Sequence, residues 1–325
     1  MSLQDQKIIA VGGENLIDSV RTVSASGQER FAHKLGGSPY NVAVAMARQG
    51  ARTYYLTPIS RDEYGEQLTQ NLNAEGVTLA GGRRDEATTQ AVVTLEKGVP
   101  TYVFHRDNTA ERAVTSATIM AALPDSAAHI HVGSLAFASG PDAVAWEEAF
   151  HSAARNGLTT SLDPNVRASL IDDAEAYRAR LVRLLGSATL VKLSDDDLDW
   201  IYPDMSQSDA IALLMSQTTA GLVALTKGPD GAECWTATRH CTVVNPPVPN
   251  LVDTIGAGDT FMATLVADLS ANDRLSVEAL DGASDEVLHN LLTRAVQAAC
   301  LNCAQEGCNP PSLGTLDSAL IKGAA

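Results

Sequence analysis

Residues 253–261 read DTIGAGDTF and lead into the apolar run MATLVADL. Gly256 and Gly258 let the backbone turn tightly and point successive N–H groups outward, and the helix they open adds partial positive charge at its first turn. Such a turn cradles an anion, most naturally a phosphate in transfer. Asp259, in that first turn, stands beside the anion and can accept the proton of a substrate hydroxyl. The base need not be strong, because positioning and charge stabilisation carry most of phosphoryl transfer. Taken alone, GxGD is equally a Gly-rich turn capped by Asp259.

A partner segment lies upstream. Residues 35–47, LGGSPYNVAVAMA, place Gly36 and Gly37 where backbone can approach a ligand closely, and Asn41 offers both a donor and an acceptor to hydroxyl groups. The chain contains no GxxxxGK[ST] and no GxGxxG, so neither a P-loop nor a dinucleotide fingerprint supplies another phosphate site. Asp163 and Asn165 end a predicted strand, at the edge where doubly wound folds bind ligands. Two further groupings read as structural. Cys300, Cys303 and Cys308 (C-x2-C-x4-C) lack a nearby fourth ligand, and the first two sit in a helical run of small apolar residues. His129 and His131 share one face of a strand that ends near Ser134.

The elements that must position these residues follow from periodicity. Strands are predicted at 7–13 (KIIAVGG), 52–58, 129–133, 158–163, 189–193 and 221–226, and helices at 38–49, 63–74, 142–156, 177–185 and 208–217. Ser38 is read as the N-cap of the first helix, with Pro39 at N1. This alternation predicts an α/β fold with a doubly wound, mostly parallel sheet covered by helices on both faces. Residues 16–35 and 88–106 break the rhythm. Each reads as two strands around a polar turn, SASGQ and EKGV, and the pair forms a small β-sheet lid or a surface for a second subunit. The organisation is therefore one domain over 1–325, with a discontinuous lid from about 14–35 and 88–108.

Composition excludes several classes. With 23 basic and 39 acidic residues the net charge is −16, which repels nucleic acid, and no Lys/Arg run offsets it. No apolar run reaches the roughly 18 residues of a membrane span. The N-terminus reads as a first strand rather than a signal peptide. Five cysteines spread over the chain favour reduced thiols and a cytoplasmic setting.

LGGSPYNVAVAMARQG together with DTIGAGDTF resembles the two signatures of the ribokinase-like (PfkB) carbohydrate kinases. GENLID (13–18), ISRDEYGEQL (59–68), LDPNVR (162–167), VKLSDDDL (191–198) and TKGPDGA (226–232) follow in that family's order, so the resemblance runs nearly end to end. It implies Asp259 as catalytic base and Gly256, Ala257 and Gly258 as the anion hole. Asp18, Gly36, Gly37 and Asn41 match sugar-binding positions, joined by Phe104, Arg106 and Arg167. Asn165, Lys192, Ser194, Thr226, Lys227, Gly228 and Gly231 match the nucleotide side, with Asn302 near the adenine. Asp253 and the Ile255 carbonyl correspond to a monovalent-cation site, which gives ATP and Mg²⁺ as cofactors with K⁺ beside them. The lid often doubles as a homodimer interface in this family.

One departure concerns magnesium. Ser194-Asp-Asp-Asp197 stands where many members carry Asn-x-x-Glu, so Asp197 reaches the metal only indirectly, or the run is a solvated helix start. For the substrate, residues 102–106 and 108–112 (YVFHR, NTAER) resemble the fructokinase lid segment, with Glu111 in place of Asp. The alternative is 2-keto-3-deoxygluconate kinase, whose carboxylate wants Arg106 or Arg167. A nucleoside acceptor needs an aromatic clamp that 5% aromatics hardly supply beyond Phe104 and Phe137. A non-catalytic sugar or nucleotide sensor has no use for Asp259.

Overall fold

Ile8–Gly12 is buried along its whole length, as a run of apolar residues must be when helices cover both faces of a strand. In the computed structural model, which describes residues 6–23, 29–96, 99–248 and 250–323, this strand lies inside a nine-stranded sheet, third from one edge. Outward on one side lie Arg52–Tyr55 and Thr78–Leu79. On the other lie Ala127–Gly133, Thr159–Asp163, Leu190–Ser194, Leu222–Thr226, Ala232–Trp235 and His240–Val243. Pairing is parallel up to Leu222–Thr226, and the last two strands are antiparallel.

Side chains alternate across the sheet, so Ile9 and Val11 point to one face and Ala10 to the other. The first face packs Met46, Phe261, Leu265 and Leu292 from the helices Ser38–Arg48, Ala257–Ala271 and Asp285–Cys303. The second packs Trp146, Phe150, Leu184 and Leu198 from Pro141–Arg155, Ala174–Leu185 and Asp195–Ile201. This is the doubly wound architecture expected. The chain first builds outward from Ile8–Gly12 toward Thr78–Leu79, then returns to Ala127–Gly133 and builds the other way. The order therefore reverses between Ile8–Gly12 and Ala127–Gly133, and a ligand crevice belongs beyond the carboxyl ends of those two strands.

The two predicted hairpins form a separate four-stranded sheet in the order Glu29–Gly36, Leu16–Val23, Thr89–Glu96, Val99–His105. Each hairpin is antiparallel, and the two join through parallel pairing of Leu16–Val23 with Thr89–Glu96. The turn SASGQ and residues 97–98 of EKGV lie outside the described residues. Phe104 and Leu170 pack on Leu16, Ala91, Leu135 and Ala138, which fastens this sheet over the crevice.

Three details differ from expectation. The strand predicted at 52–58 ends at Tyr55 and the chain re-pairs as Ile59–Ser60 with Arg83–Arg84. The antiparallel edge pair Ala232–Trp235 and His240–Val243, like the helices Ser116–Ala122 and Leu313–Gly323, was not predicted. Ser38 is the first helical residue rather than the N-cap, because Gly37, with φ of 106°, makes the turn into the helix. Among the described residues no helix is long and apolar enough to cross a membrane.

Candidate active site

Gly256 caps the helix Ala257–Ala271 in the left-handed region, with φ of 76°, and a side chain there would overlap Cys308 Sγ. Both constraints select glycine. Gly258 follows one residue into the helix, where an added Cβ would stand 3.0 Å from Lys192 Nζ. The backbone of the GAGD turn thus faces a buried ammonium, and the helix N-terminus adds positive potential to the same spot. Ala257 turns its own N–H back to the Thr254 carbonyl at 3.2 Å.

Asp259 is buried in the first turn of that helix. Ser38 Oγ donates to its Oδ1 at 2.6 Å and Asn41 Nδ2 donates to its Oδ2 at 2.8 Å. Burial raises its proton affinity, and these two hydrogen bonds, with the charges of Lys192 and Arg167, work against that rise. Lys192 in turn donates to Asp163 Oδ2 at 3.0 Å. Desolvation alone would lower the Lys192 pKa, but Asp163, Asp197 and Asp259 outweigh it and hold the amine protonated above its ordinary range. Asp163 Oδ1 is buried without a hydrogen-bond partner, and burial pushes the Asp163 carboxyl up to about 6.

The wall opposite is the small sheet. Asp18 sits across from Lys34 in the antiparallel register, so both side chains share one face. Its carboxyl is pushed up to about 6, first by burial and then by Asp259, while Arg167 and Lys34 oppose the shift. A Cβ on Gly36 would overlap Asp18 Oδ2 and displace that carboxylate, and a Cβ on Gly37 would stand 2.5 Å from the Glu14 carbonyl oxygen. The structure therefore brings Asp18, Gly36, Gly37, Asn41 and Asp259 together at one crevice. Arg167 is exposed, with Nη1 bonded to Asn165 Oδ1 at 2.6 Å.

Arg106 differs from expectation. It is buried, with Nε donating to Glu111 Oε1 at 2.7 Å and Nη2 reaching Glu111, Asp142 and the Leu135 carbonyl. A guanidinium held this way anchors the root of the small sheet instead of presenting itself to a substrate. Phe104 lies beside it in the cluster already described.

Ser194 and Thr226 end adjacent parallel strands and pair in register. Beyond them Lys227 is ion-paired to Glu233 at 2.7 Å, and Gly228 and Gly231 take φ of 50° and 100° in the turn that links Leu222–Thr226 to its antiparallel neighbour. Asn165 also has a positive φ, 38°. These residues line the sheet's carboxyl edge away from Asp18. Asp197 is otherwise engaged: its Oδ2 accepts the Ser194 N–H at 2.9 Å in a capping box and its Oδ1 accepts the Val166 N–H at 2.7 Å, so one oxygen caps its own helix and the other braces the 165–167 loop. Asp163 Oδ1, buried and unpartnered beside Lys192, is the carboxylate oxygen that fits a metal-bound water.

Asn302 also takes a different place. It is fully buried; Nδ2 donates to the Ile255 carbonyl at 2.7 Å and Oδ1 accepts the Asn309 N–H at 2.8 Å. Both of its polar groups are therefore spent inside the protein, where they clamp the loop that enters the GAGD turn. Asp253 does the same from its own side, accepting the N–H groups of Ile255 and Gly307, each at 3.0 Å. The cysteines form no metal cluster among the described residues, and all five are free. His129 and His131 are buried and hydrogen-bonded to Ser161, and burial lowers each to about 3, so both are neutral core histidines.

Two residues of the site were not predicted. Ser38 looked like a cap. Glu14 lies in GENLID, directly after Ile8–Gly12 at the switch point, and that placement was the available signal. Its carboxylate accepts the Ser38 N–H at 3.0 Å and the Leu135 N–H at 3.1 Å, and burial pushes it up to about 7.

Comparison with known proteins agrees with this geometry. Residues 6–315 match the pfkB family carbohydrate kinase description. A fructokinase of Rhizobium leguminosarum bv. trifolii is 34% identical over 279 residues, which are 86% of this chain and 84% of that protein. Fructokinase-2 of Solanum lycopersicum is 31% identical over 330 residues, 98% and 97% of the two chains. A crystal structure of fructokinase with bound ATP from Xylella fastidiosa superimposes with a TM-score of 0.88 at 25% identity, covering 98% of this chain and 100% of the other. The chain belongs to the pfkB family of carbohydrate kinases and is an ATP-dependent sugar kinase.

Proposed function

We propose that the acceptor is fructose, with Asp259 taking the proton of the attacking hydroxyl. The observation that carries this reading is the convergence on Asp259: its carboxylate stands at a helix N-terminus, beside the Lys192 ammonium and facing Asp18 and Asn41. Asp18 and Asn41 bind and orient the sugar. The sugar hydroxyl donates to Asp259, which removes the proton as the oxygen–phosphorus bond forms and ADP departs. The backbone of Gly256 and Gly258, with Lys192, faces the charge on the transferring phosphoryl group, while Ala257, whose N–H is held by the Thr254 carbonyl, shapes the turn between them. The small sheet acts as a lid that excludes water, the competing acceptor. Ser194, Thr226, Lys227, Gly228, Gly231 and Asn165 take the nucleotide side. Magnesium would be held near Asp163, and potassium at Asp253 and the Ile255 carbonyl, each supplying charge neutralisation when bound.

Fructose is favoured by the fructokinase names of the relatives and by the state of Arg106, whose pairing with Glu111 and Asp142 removes one of the two arginines that could each serve a sugar acid. The exposed Arg167 keeps 2-keto-3-deoxygluconate as the second reading. The five free thiols suit the cytoplasm, and the exposed Val103 on the lid's outer face suits a homodimer through the lid.

The test is ADP release from ATP and Mg²⁺ with fructose, 2-keto-3-deoxygluconate, ribose, glucose and adenosine, for the parent and Asp259→Asn. Preference for fructose, lost by about 10³-fold in the variant, is expected. Preference for the keto-deoxy acid moves the reading to Arg167. Bound ATP with no turnover on any acceptor overturns it in favour of a sensor.

A further inference from the structure

Asp259 has both carboxylate oxygens engaged, and the two donors, Ser38 and Asn41, come from one turn of the same helix. A serine before a proline at a helix start ordinarily turns its hydroxyl back onto the helix. Here Gly37 occupies the cap position, so the Ser38 hydroxyl is free to reach across to a residue 221 positions away. Its orientation is imposed from behind. Glu14 Oε1 takes the Ser38 N–H, while Glu14 Oε2 takes the Leu135 N–H, so one buried carboxylate ties the start of Ser38–Arg48 to the loop after Ala127–Gly133.

We infer that Ser38, oriented by Glu14, is a positioning residue for the catalytic base, holding Asp259 Oδ1 so that the carboxylate is ionised and turned to the acceptor hydroxyl. The inference rests on the kinase reading above and adds a residue to its machinery. An aspartate held at one oxygen is poorly fixed, because its terminal torsion is broad and roughly two-fold. Held at both oxygens by donors 2.6 and 2.8 Å away, the carboxylate plane is set, and the remaining lone pairs face a defined direction.

The same bond favours the charged form, against burial, which disfavours it. The charged and titratable groups that face Asp259 are Lys192 and Arg167, which favour its ionisation, and Asp18, Asp163 and Cys308, whose negative forms oppose it. Ser38, like Asn41, is a neutral donor in that balance, so its removal leaves the number of charges unchanged. That makes the variant informative.

The experiment is the pH profile of kcat/KM for Ser38→Ala beside the parent, with KM for ATP and for the sugar measured separately. The expected result is an acidic limb displaced upward by about one pH unit and a plateau kcat lowered by about tenfold, with KM for ATP unchanged. An unmoved limb with kcat within about twofold of the parent overturns the inference. A readout independent of turnover runs alongside: the carboxyl carbon resonance of Asp259 in aspartate-labelled protein, assigned by its loss in Asp259→Asn. If the parent phosphorylates no sugar, the kinase reading has failed. An upward-shifted Asp259 titration in Ser38→Ala then still supports the hold of Ser38 on Asp259, and an unshifted one refutes it.

Discussion

Replacing Asn302 by alanine separates two roles that its position allows. The side chain is fully buried and makes two hydrogen bonds, to the Ile255 carbonyl at 2.7 Å and from the Asn309 N–H at 2.8 Å. Truncation orphans both main-chain groups. Both bonds are only partly buried, so each costs toward the low end of the about 1–3 kcal/mol of an unsatisfied buried group, about 3 kcal/mol for the pair. For a chain of 325 residues that lowers Tm by about 4 °C. The catalytic effect follows from where the slack appears. Ile255 leads directly into Gly256, and the same loop is stapled by the Cys303 carbonyl, which accepts the Val252 and Asp253 N–H groups. Loosening one staple lets the anion-hole backbone drift, and removal of a single oxyanion donor elsewhere costs about 10²–10³ in kcat. A fall of about tenfold to a hundredfold in kcat, with KM for ATP unchanged, is therefore expected in a coupled ADP assay, together with the Tm shift by calorimetry. A tenfold rise in KM for ATP with kcat intact would refute the reasoning, because that is the signature of a residue touching the nucleotide.

Glu14 makes stability depend on pH. Its carboxyl is raised by burial from about 4.5 to about 7, so the folded protein binds this proton more tightly than the unfolded chain. The stabilisation is full below about 4.5 and is lost as pH rises through about 7. Asp18 and Asp163, both near 6, act with the same sign. The ligand-free parent should lose Tm between pH 5 and 8, and Glu14→Gln should flatten that slope; parallel curves would exclude Glu14 as its source. Val103 is 50% exposed on the lid face opposite Phe104, and Val103→Asp should convert a dimeric parent to a monomer in light scattering. A monomeric parent removes the lid interface altogether.

How far the sequence disclosed this molecule depended on the range of the interaction that decides each residue. Strand and helix identity is local, and the buried runs around Ile8–Gly12 and Thr159–Asp163 carried it. The strand at 52–58 was overextended because Pro58 and the re-pairing at Ile59–Ser60 are set by Arg83–Arg84. The glycines of the GAGD turn were legible because the constraint is in the backbone itself: Gly256 has a positive φ that a sequence pattern can announce. Ser38, Asp197 and Asn302 were misjudged for the opposite reason. Each has a polar side chain whose partner is chosen by the fold. Ser38 was assigned to the nearest N–H groups, as local chemistry dictates, until Gly37 took the cap and Asp259 became reachable. Asp197, read either as an indirect metal ligand or as part of a helix start, does cap that helix, but it is buried because the Val166 N–H, one strand away, also claims it. Arg106 follows the same logic on the lid, since burial next to Glu111 and Asp142 makes pairing obligatory. A motif therefore identifies the region that does the chemistry, while the division of that region into groups that touch the ligand and groups that hold them is settled by which buried polar atoms would otherwise go unpaired. Asn302, paired through both of its polar atoms, belongs with the groups that hold the site in shape, and Asp163 Oδ1 is left unpaired beside Lys192.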